Sequence, residues 1–204
     1  MKQLTIEGFR AMLNNALKHI KAREDEFSKL DAVIGDGDHG QAIVTAFSVV
    51  VKGSEKGTEF KSMLNDMGFG VMLETSGSTS TLLGAFFLGM SDNAAGTELD
   101  AEGVKKMFAG GLANVQKQTK AQPGDKTMMD ALVPAIEAIQ ACESDDIKEI
   151  MTAGANAALE GAKKTVDMKA NFGRARNYGE RSIGYADSGA TSWSCMLASF
   201  AEAL

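Results

Sequence analysis

Apolar residues recur at helical spacing along almost the whole chain, and this pattern limits the fold more than any other feature of the sequence. Phe9, Met12, Leu13, Ala16, Leu17 and Ile20 follow the i, i+3, i+4 rhythm of one buried helical face, with Thr5 placed to cap it. A stretch at about 39–52 brings Ile43, Phe47 and Val50 together and stops at Gly53. Phe60, Met63, Leu64, Met67 and Val71 share a third face, and Leu82, Leu83, Phe86, Phe87 and Met90 follow a Ser/Thr cluster near 78. After Asp100 come Val104, Met107, Phe108, Leu112 and Val115. A segment at about 128–142 holds Pro134, which should kink it or mark its first turn. Segments at about 145–167 (Ile147, Ile150, Met151, Gly154) and 190–203 (Trp193, Met196, Leu197, Phe200) complete the set. No stretch reads convincingly as a strand. Composition agrees, with 29 Ala, 15 Leu and 12 Met against 19 Val plus Ile, and only two prolines. The expectation is an all-α domain over residues 1–204, built from about eight amphipathic helices without a linker or repeat.

The charge balance narrows the partners. Twenty-one Lys and Arg against 27 Asp and Glu give a net charge of −6, which argues against a nucleic-acid surface but leaves room for a single phosphate pocket. No apolar run approaches the ~18 residues of a membrane span. Lys2, Glu7, Arg10 and Lys18 make the amino end unlike a signal peptide. Cys142 and Cys195 lie far apart and form no C-x-x-C pattern. The expectation is a reduced, cytoplasmic protein without structural zinc.

Three connections are rich in glycine and polar groups: 30–41, 74–81 and 173–192. In the first, Asp31, Asp36 and Asp38 fall within eight residues, and Gly35 and Gly37 give the backbone freedom to bring them together. Carboxylates this close repel unless a cation or solvent separates them. Hard oxygen ligands suit Mg²⁺ or Ca²⁺. A solvated acidic turn ahead of the next helix is the plainer alternative. GDGDHG (35–40) matches a dinucleotide fingerprint only formally, because two aspartates would repel a pyrophosphate and no strand precedes them. An EF-hand is also excluded, because the twelfth position from Asp36 is Phe47 where Glu is needed. Mg²⁺ usually also bridges substrate phosphates, so the loop points to a phosphorylated ligand.

The other loops supply what such a ligand needs. ETSGSTST (74–81) offers hydroxyls and N–H groups at a helix start, an anion site or else an over-endowed cap. No Walker-type P-loop occurs. Arg174, Arg176, Arg181 and Asp187 lie among Gly173, Gly179, Gly184 and Gly189; an Arg fork can clamp phosphate, although Arg176 reads better as a surface residue. In GDKTM (124–128), Met128 or Met129 could line a base slot or simply be core. His19 carries no assigned role.

Taken in order, these segments resemble a known family. D-x4-D-x-D-H-G, the Gly/Ser/Thr loop, QPGDKTM-x-DAL-x-PA and GRA-x3-GERSIG-x2-D-x-GATS span nearly the whole chain and are similar to the nucleotide-binding (L) subunit of dihydroxyacetone kinases. The resemblance implies an up-and-down barrel of eight helices with the nucleotide at one end. It implies two Mg²⁺ ions on Asp31, Asp36 and Asp38. It further implies ADP or ATP contacts at His39, Gly40, Gln41, Ala42, Ser78, Thr79, Thr119, Met128, Arg174, Asp187, Ser188 and Gly189. The implied activity is phosphoryl transfer to dihydroxyacetone or a related ketose on a separate K-type subunit, with no catalytic residue assigned to this chain. The phosphoryl donor is either ATP or an M-type phosphotransferase-system subunit that rephosphorylates retained ADP. This sequence departs from the family pattern at Ser76–Leu82, where two glycines become serines and a small or Pro position becomes Thr81. It departs also at Thr119, where Gly is common, and at Asp187-Ser188-Gly189, where D-P-G is usual. The altered phosphate loop leaves a second reading open, a Mg-nucleotide-binding module that transfers nothing itself.

Overall fold

The computed structural model describes residues 1–204. Nine α-helices make up the chain: α1 (Ile6–Ala22), α2 (Glu24–Ile34), α3 (His39–Ser54), α4 (Phe60–Glu74), α5 (Ser78–Ser91), α6 (Ala101–Gln118), α7 (Met129–Ala141), α8 (Ile147–Lys164) and α9 (Ser188–Glu202). Two 3₁₀ segments, Thr165–Asp167 and Arg174–Ser182, lie between α8 and α9. The only sheet is a two-residue antiparallel pair of Leu4–Thr5 with Glu98–Leu99, β1 and β2, which pins the chain start to the connection before α6. No helix is long and apolar enough to cross a membrane.

Eight of the helices form a closed ring. α3 packs on α4, α4 on α5, α5 on α6, α6 on α7, α7 on α8 and α8 on α9; α1 then fits between α9 and α3. Residues at the starts of α3, α5, α7 and α9 line one cavity, so these four helices all begin at the same end of the barrel. α2 stands outside the ring, crossing that end against α3, α9 and the Arg174–Ser182 turn. One apolar cluster draws on all nine helices, with Phe86 at its centre, edge-on to Trp193 at 5.4 Å and to Phe87 at 5.6 Å.

Local chemistry sets the helix limits. Thr5 accepts from Gly8 N–H, Asp100 from Gly103 N–H, Asp146 from Lys148 N–H and Asp187 from Ala190 N–H, each an N-cap side-chain bond. α7 runs continuously through Pro134. The missing N–H leaves the Asp130 carbonyl without its helical donor. Gly161 of α8 fills this gap: an added Cβ there would lie 1.9 Å from that oxygen, so only a glycine Cα–H fits against it.

Besides the short β1–β2 pair and the 3₁₀ segment and start of α9 within 173–192, the structure differs from the sequence reading mainly at α2. Residues 30–41 were expected to form a loop, but α2 extends to Ile34, so Asp31 sits on its last turn. α2 buries only Phe27 and Ile34, too few apolar positions to show a periodic face.

Candidate functional site

The end of the barrel where α3, α5, α7 and α9 begin encloses a cavity of about 190 Å³. Its wall includes Asp38 and His39 before and at the start of α3, Ser78 and Thr79 of α5, Met128 ahead of α7, and Ser188 and Gly189 of α9. Four helix N-termini therefore face one space with the positive ends of their dipoles; α3, α5 and α9 also present free N–H groups, whereas at α7 the Met129 and Asp130 N–H groups bond to Thr127. Gly77, with φ 94°, makes the turn that opens α5 and leaves Ser78 and Thr79 at its mouth. Arg174 and Phe172 close the opposite side.

The three aspartates meet at the same cavity. One carboxylate oxygen from each of Asp31, Asp36 and Asp38 lies within 4.8 Å of the others. Asp31 is held by the Gly37 N–H at 2.8 Å and by the Ser188 hydroxyl at 3.4 Å. Asp38 occupies the N-cap position of α3, yet its side chain makes no capping bond. An acidic turn serving the helix would use that carboxylate as a cap; here it is free to face its two neighbours. Desolvation, then the charge of Asp36, pushes the Asp38 carboxyl above the usual carboxylate range. At Asp36 desolvation acts in the same direction, but the hydrogen bond and charge of Arg174 outweigh it and hold the carboxyl low. The donor set is all oxygen, charged, and gathered without a protein cation at its centre. It fits a hard divalent ion such as Mg²⁺.

His39 has a fixed part in the wall. The Ser192 hydroxyl donates to the Gly189 carbonyl at 3.0 Å, so toward His39 Nε2, at 2.8 Å, it accepts. Nδ1 is then the unprotonated nitrogen and accepts from the Thr79 hydroxyl at 3.3 Å. Burial pushes the imidazole below its ordinary value, with Asp31 pulling the other way, in keeping with a neutral ring. Thr79 thus turns its oxygen lone pairs, and not its proton, away from His39.

A second, more apolar cavity of about 580 Å³ adjoins the first and shares Ser78, Leu82, Thr127, Met128, Phe172 and Gly173 with it. Thr119 lines this one. A polar cavity edged by N–H groups and carboxylates thus opens beside an apolar slot between Met128 and Phe172.

The structure brings together Asp31, Asp36, Asp38, His39, Ser78, Thr79, Met128, Arg174, Asp187, Ser188 and Gly189 around this end, with Thr119 next door. Gln41 and Ala42 line a separate groove beyond Asp38, with Glu74, Thr75 and Ser80. Gly40 lines neither cavity; it is buried where α3 crosses α2. Arg176 is exposed. The Ser199 hydroxyl donates to the Cys195 carbonyl and accepts from His19 Nδ1 at 3.1 Å, on α1 and away from the cavity.

Two residues went unnoticed in the sequence. Asp130, 3% exposed, accepts from Gly124 N–H at 2.6 Å and Thr127 N–H at 2.8 Å, folding the turn that carries Met128. Lys126 is buried in the same turn. Both stand in the PGDKTM-x-D run, but charged residues are expected at the surface and nothing in the pattern marks these as interior.

The DAK2 domain profile matches residues 33–202. The chain belongs to this family. Among relatives of the DAK2 family, a Listeria innocua protein named PEP-dependent dihydroxyacetone kinase 2, ADP-binding subunit DhaL, is 34% identical, with 96% of this chain and 95% of that protein covered. The Escherichia coli PEP-dependent dihydroxyacetone kinase, ADP-binding subunit DhaL, is also 34% identical, over 87% of this chain and 88% of its own. A Mycolicibacterium smegmatis D-erythrulose kinase is 32% identical, and the match takes up 83% of this chain but 30% of that longer protein. The crystal structure of the C. freundii dihydroxyacetone kinase with AMP-PNP and Mg²⁺ superimposes with a TM-score of 0.72 at 21% identity, over 96% of this chain and 33% of that one. The two chains thus share this helical fold.

Proposed function

We propose that the chain is the nucleotide-binding subunit of a dihydroxyacetone-type kinase, presenting the terminal phosphoryl group of a Mg-nucleotide to a ketose held by a partner subunit. One observation carries this reading: a carboxylate triad faces four helix N-termini across a single cavity. Carboxylates alone would repel a polyphosphate and helix N-termini alone would repel a cation, so the pair suits a Mg-polyphosphate. The relatives named as ADP-binding kinase subunits match over most of this chain and most of their own length, which supports the same role here beside a K-type ketose-binding partner. Their description as PEP-dependent favours ADP as a retained cofactor, rephosphorylated by an M-type phosphotransferase-system protein.

Asp31, Asp36 and Asp38 would hold two Mg²⁺ ions. When bound, these neutralise charge on the phosphate oxygens. The N–H groups opening α5 and α9 and the hydroxyl of Ser78 would orient the phosphates, and Arg174 would offset charge developing on the transferring group. Met128 and Phe172 would sandwich the base in the adjoining slot, with Thr119 at its far side. No general base is assigned here; the substrate hydroxyl would be activated by the partner. Positioning and charge neutralisation dominate phosphoryl transfer, so a subunit without a base is chemically sufficient for this half of the reaction.

Native mass spectrometry of the purified protein tests the reading. A retained mass of ADP with Mg²⁺, lost on EDTA treatment, is the expected result. A protein that carries no nucleotide and shows no calorimetric heat with Mg-ADP or Mg-ATP would overturn it.

A further inference from the structure

Lys126 fits neither of a lysine's ordinary roles. It is 1% exposed, and its φ of 61° makes it the one non-glycine residue in the left-handed region. Its ammonium donates to the carbonyls of Thr165 at 2.8 Å, Met168 at 3.1 Å, Ser182 at 2.7 Å and Tyr185 at 2.6 Å. An ammonium has three protons, so four acceptors exhaust it. Although the residue belongs to the wall of the cavity, no proton is left for a phosphate. A point-charge phosphate clamp, the usual reading of a lysine at such a site, is ruled out by this geometry.

The four carbonyls lie on both sides of a loop neck. Thr165 and Met168 precede the loop, and Ser182 and Tyr185 follow it. Gly184 N–H to Val166 O at 2.8 Å and Ala170 N–H to Ser182 Oγ at 2.8 Å close the same neck, and Asn171 N–H reaches Asp125 O at 3.2 Å beside Lys126. The loop beyond has glycine hinges at Gly173, φ 64°, and Gly179, φ 55°. It delivers Arg174 to Asp36 and Gly173 to the cavity rim. Removing the ammonium would take this donor from the carbonyls of Met168, Ser182 and Tyr185, while Thr165 keeps the Met168 N–H, at the point where both ends of the loop meet.

We propose that Lys126 is a positioning residue: a buried cation that closes the neck of the 165–185 loop and thereby sets Arg174 over the phosphates without touching them. This rests on the nucleotide-site reading given above. Its consequence is that Lys126 and Arg174 act as one unit.

Lys126→Met keeps the stem and deletes the ammonium. The readouts are trypsin cleavage after Arg174, Arg176 and Arg181 in the native protein, and calorimetry with Mg-ADP on Lys126→Met, Arg174→Met and the double variant. Faster cleavage inside the loop is expected, with Mg-ADP affinity about tenfold weaker, the scale of lost charge-assisted hydrogen bonds. In the double variant the two losses should fall well short of multiplying, because the lysine works through the arginine. Ser182→Ala loosens the same neck with Lys126 in place, covers the case in which Lys126→Met does not fold, and should shift cleavage and binding in the same direction. Wild-type binding in Lys126→Met, fully multiplicative losses, or a Ser182→Ala loop that opens without weakening Mg-ADP would each overturn the proposal. If the wild type binds no Mg-nucleotide, the functional reading fails instead; the cleavage assay still bears on the clasp, and an unchanged loop in Lys126→Met refutes it.

Discussion

Gly40 tests how the metal cluster is assembled. It is buried on the first turn of α3 against α2, and an added Cβ would stand 2.1 Å from the Glu24 carbonyl oxygen and 2.3 Å from Ser28 Oγ. The hydroxyl can rotate away, but the backbone oxygen cannot. A carbon tolerates a carbonyl oxygen at about 3.3 Å, so Gly40→Ala must part the helices by ~1 Å. Overpacking of this kind costs ~1–3 kcal/mol. At roughly 2–4 °C per kcal/mol for a chain of this size, the metal-free melting temperature should fall by ~2–12 °C. α2 carries Asp31 and α3 begins beside Asp38, so the same movement separates carboxylates whose oxygens now lie within 4.8 Å. Mg²⁺ demands near-ideal octahedral geometry, and Mg-ADP affinity should drop with the stability. Gly8→Ala on α1 is the matched control: its Cβ would meet Leu4 and Thr5 at 3.4 Å, ordinary contact, and should stabilise by ~0.4–1 kcal/mol. Thermal melting in EDTA and calorimetry with Mg-ADP give both quantities. A Gly40→Ala protein that melts in EDTA at or above wild type refutes the helix-contact argument. If it loses only nucleotide binding, Gly40 acts by backbone approach to the ligand instead.

Calorimetry with and without EDTA should show ADP binding only when Mg²⁺ is present, since carboxylates and polyphosphate repel without it; equal affinity in both conditions would remove the metal bridge. Asp36→Asn should weaken Mg-nucleotide binding strongly while the metal-free protein melts close to wild type, because the exposed pair with Arg174 that is lost and the repulsion with Asp38 that is relieved are both small and opposed; normal binding with lost stability would make the loop a structural turn. Desolvation pushes Asp187 up to about 7, above its unfolded value, so the stability it contributes is present in acid and is lost as pH rises through neutrality. Asp187→Asn removes that dependence, and its melting temperature should gain on wild type between about pH 5 and about pH 8; parallel curves would refute the assignment. The purified chain should not phosphorylate dihydroxyacetone from ATP without a K-type partner, which a coupled assay would settle.

The sequence carried the ring and the cluster by different means. Helices such as α1 and α5 bury long apolar faces, so periodicity located them to within a few residues. α2 hid because it covers one end of a barrel and buries two apolar side chains in 11 residues. The carboxylates were legible because only a cation or solvent relieves three acids in so short a run. Lys126 and Asp130 were not: their bonds run to backbone groups, some tens of residues distant in sequence, and backbone partners leave no mark on residue type. For the same reason Gly40 read as part of a ligand loop, although its neighbour in the structure is the carbonyl of Glu24.

The placement of α2 explains how three acids can stand together in a chain of net charge −6. Asp36 and Asp38 lie on the α2–α3 connection at the solvent edge, where water screens them, and Asp31 alone is drawn inward toward Ser188. Arg174 pairs with Asp36 from a loop whose neck is closed by a cation facing the other way, into backbone carbonyls. One positive charge, that of Arg174, thus flanks the acids without neutralising their centre. If Arg174 filled the cluster it would compete with Mg²⁺; if it were absent, the acids would repel the phosphate unopposed. Arg174→Met should therefore weaken Mg-ADP while leaving Mg²⁺ binding alone intact or tighter. Tighter or unchanged Mg-ADP binding in that variant would mean that the guanidinium competes with the metal-nucleotide and does not hold it.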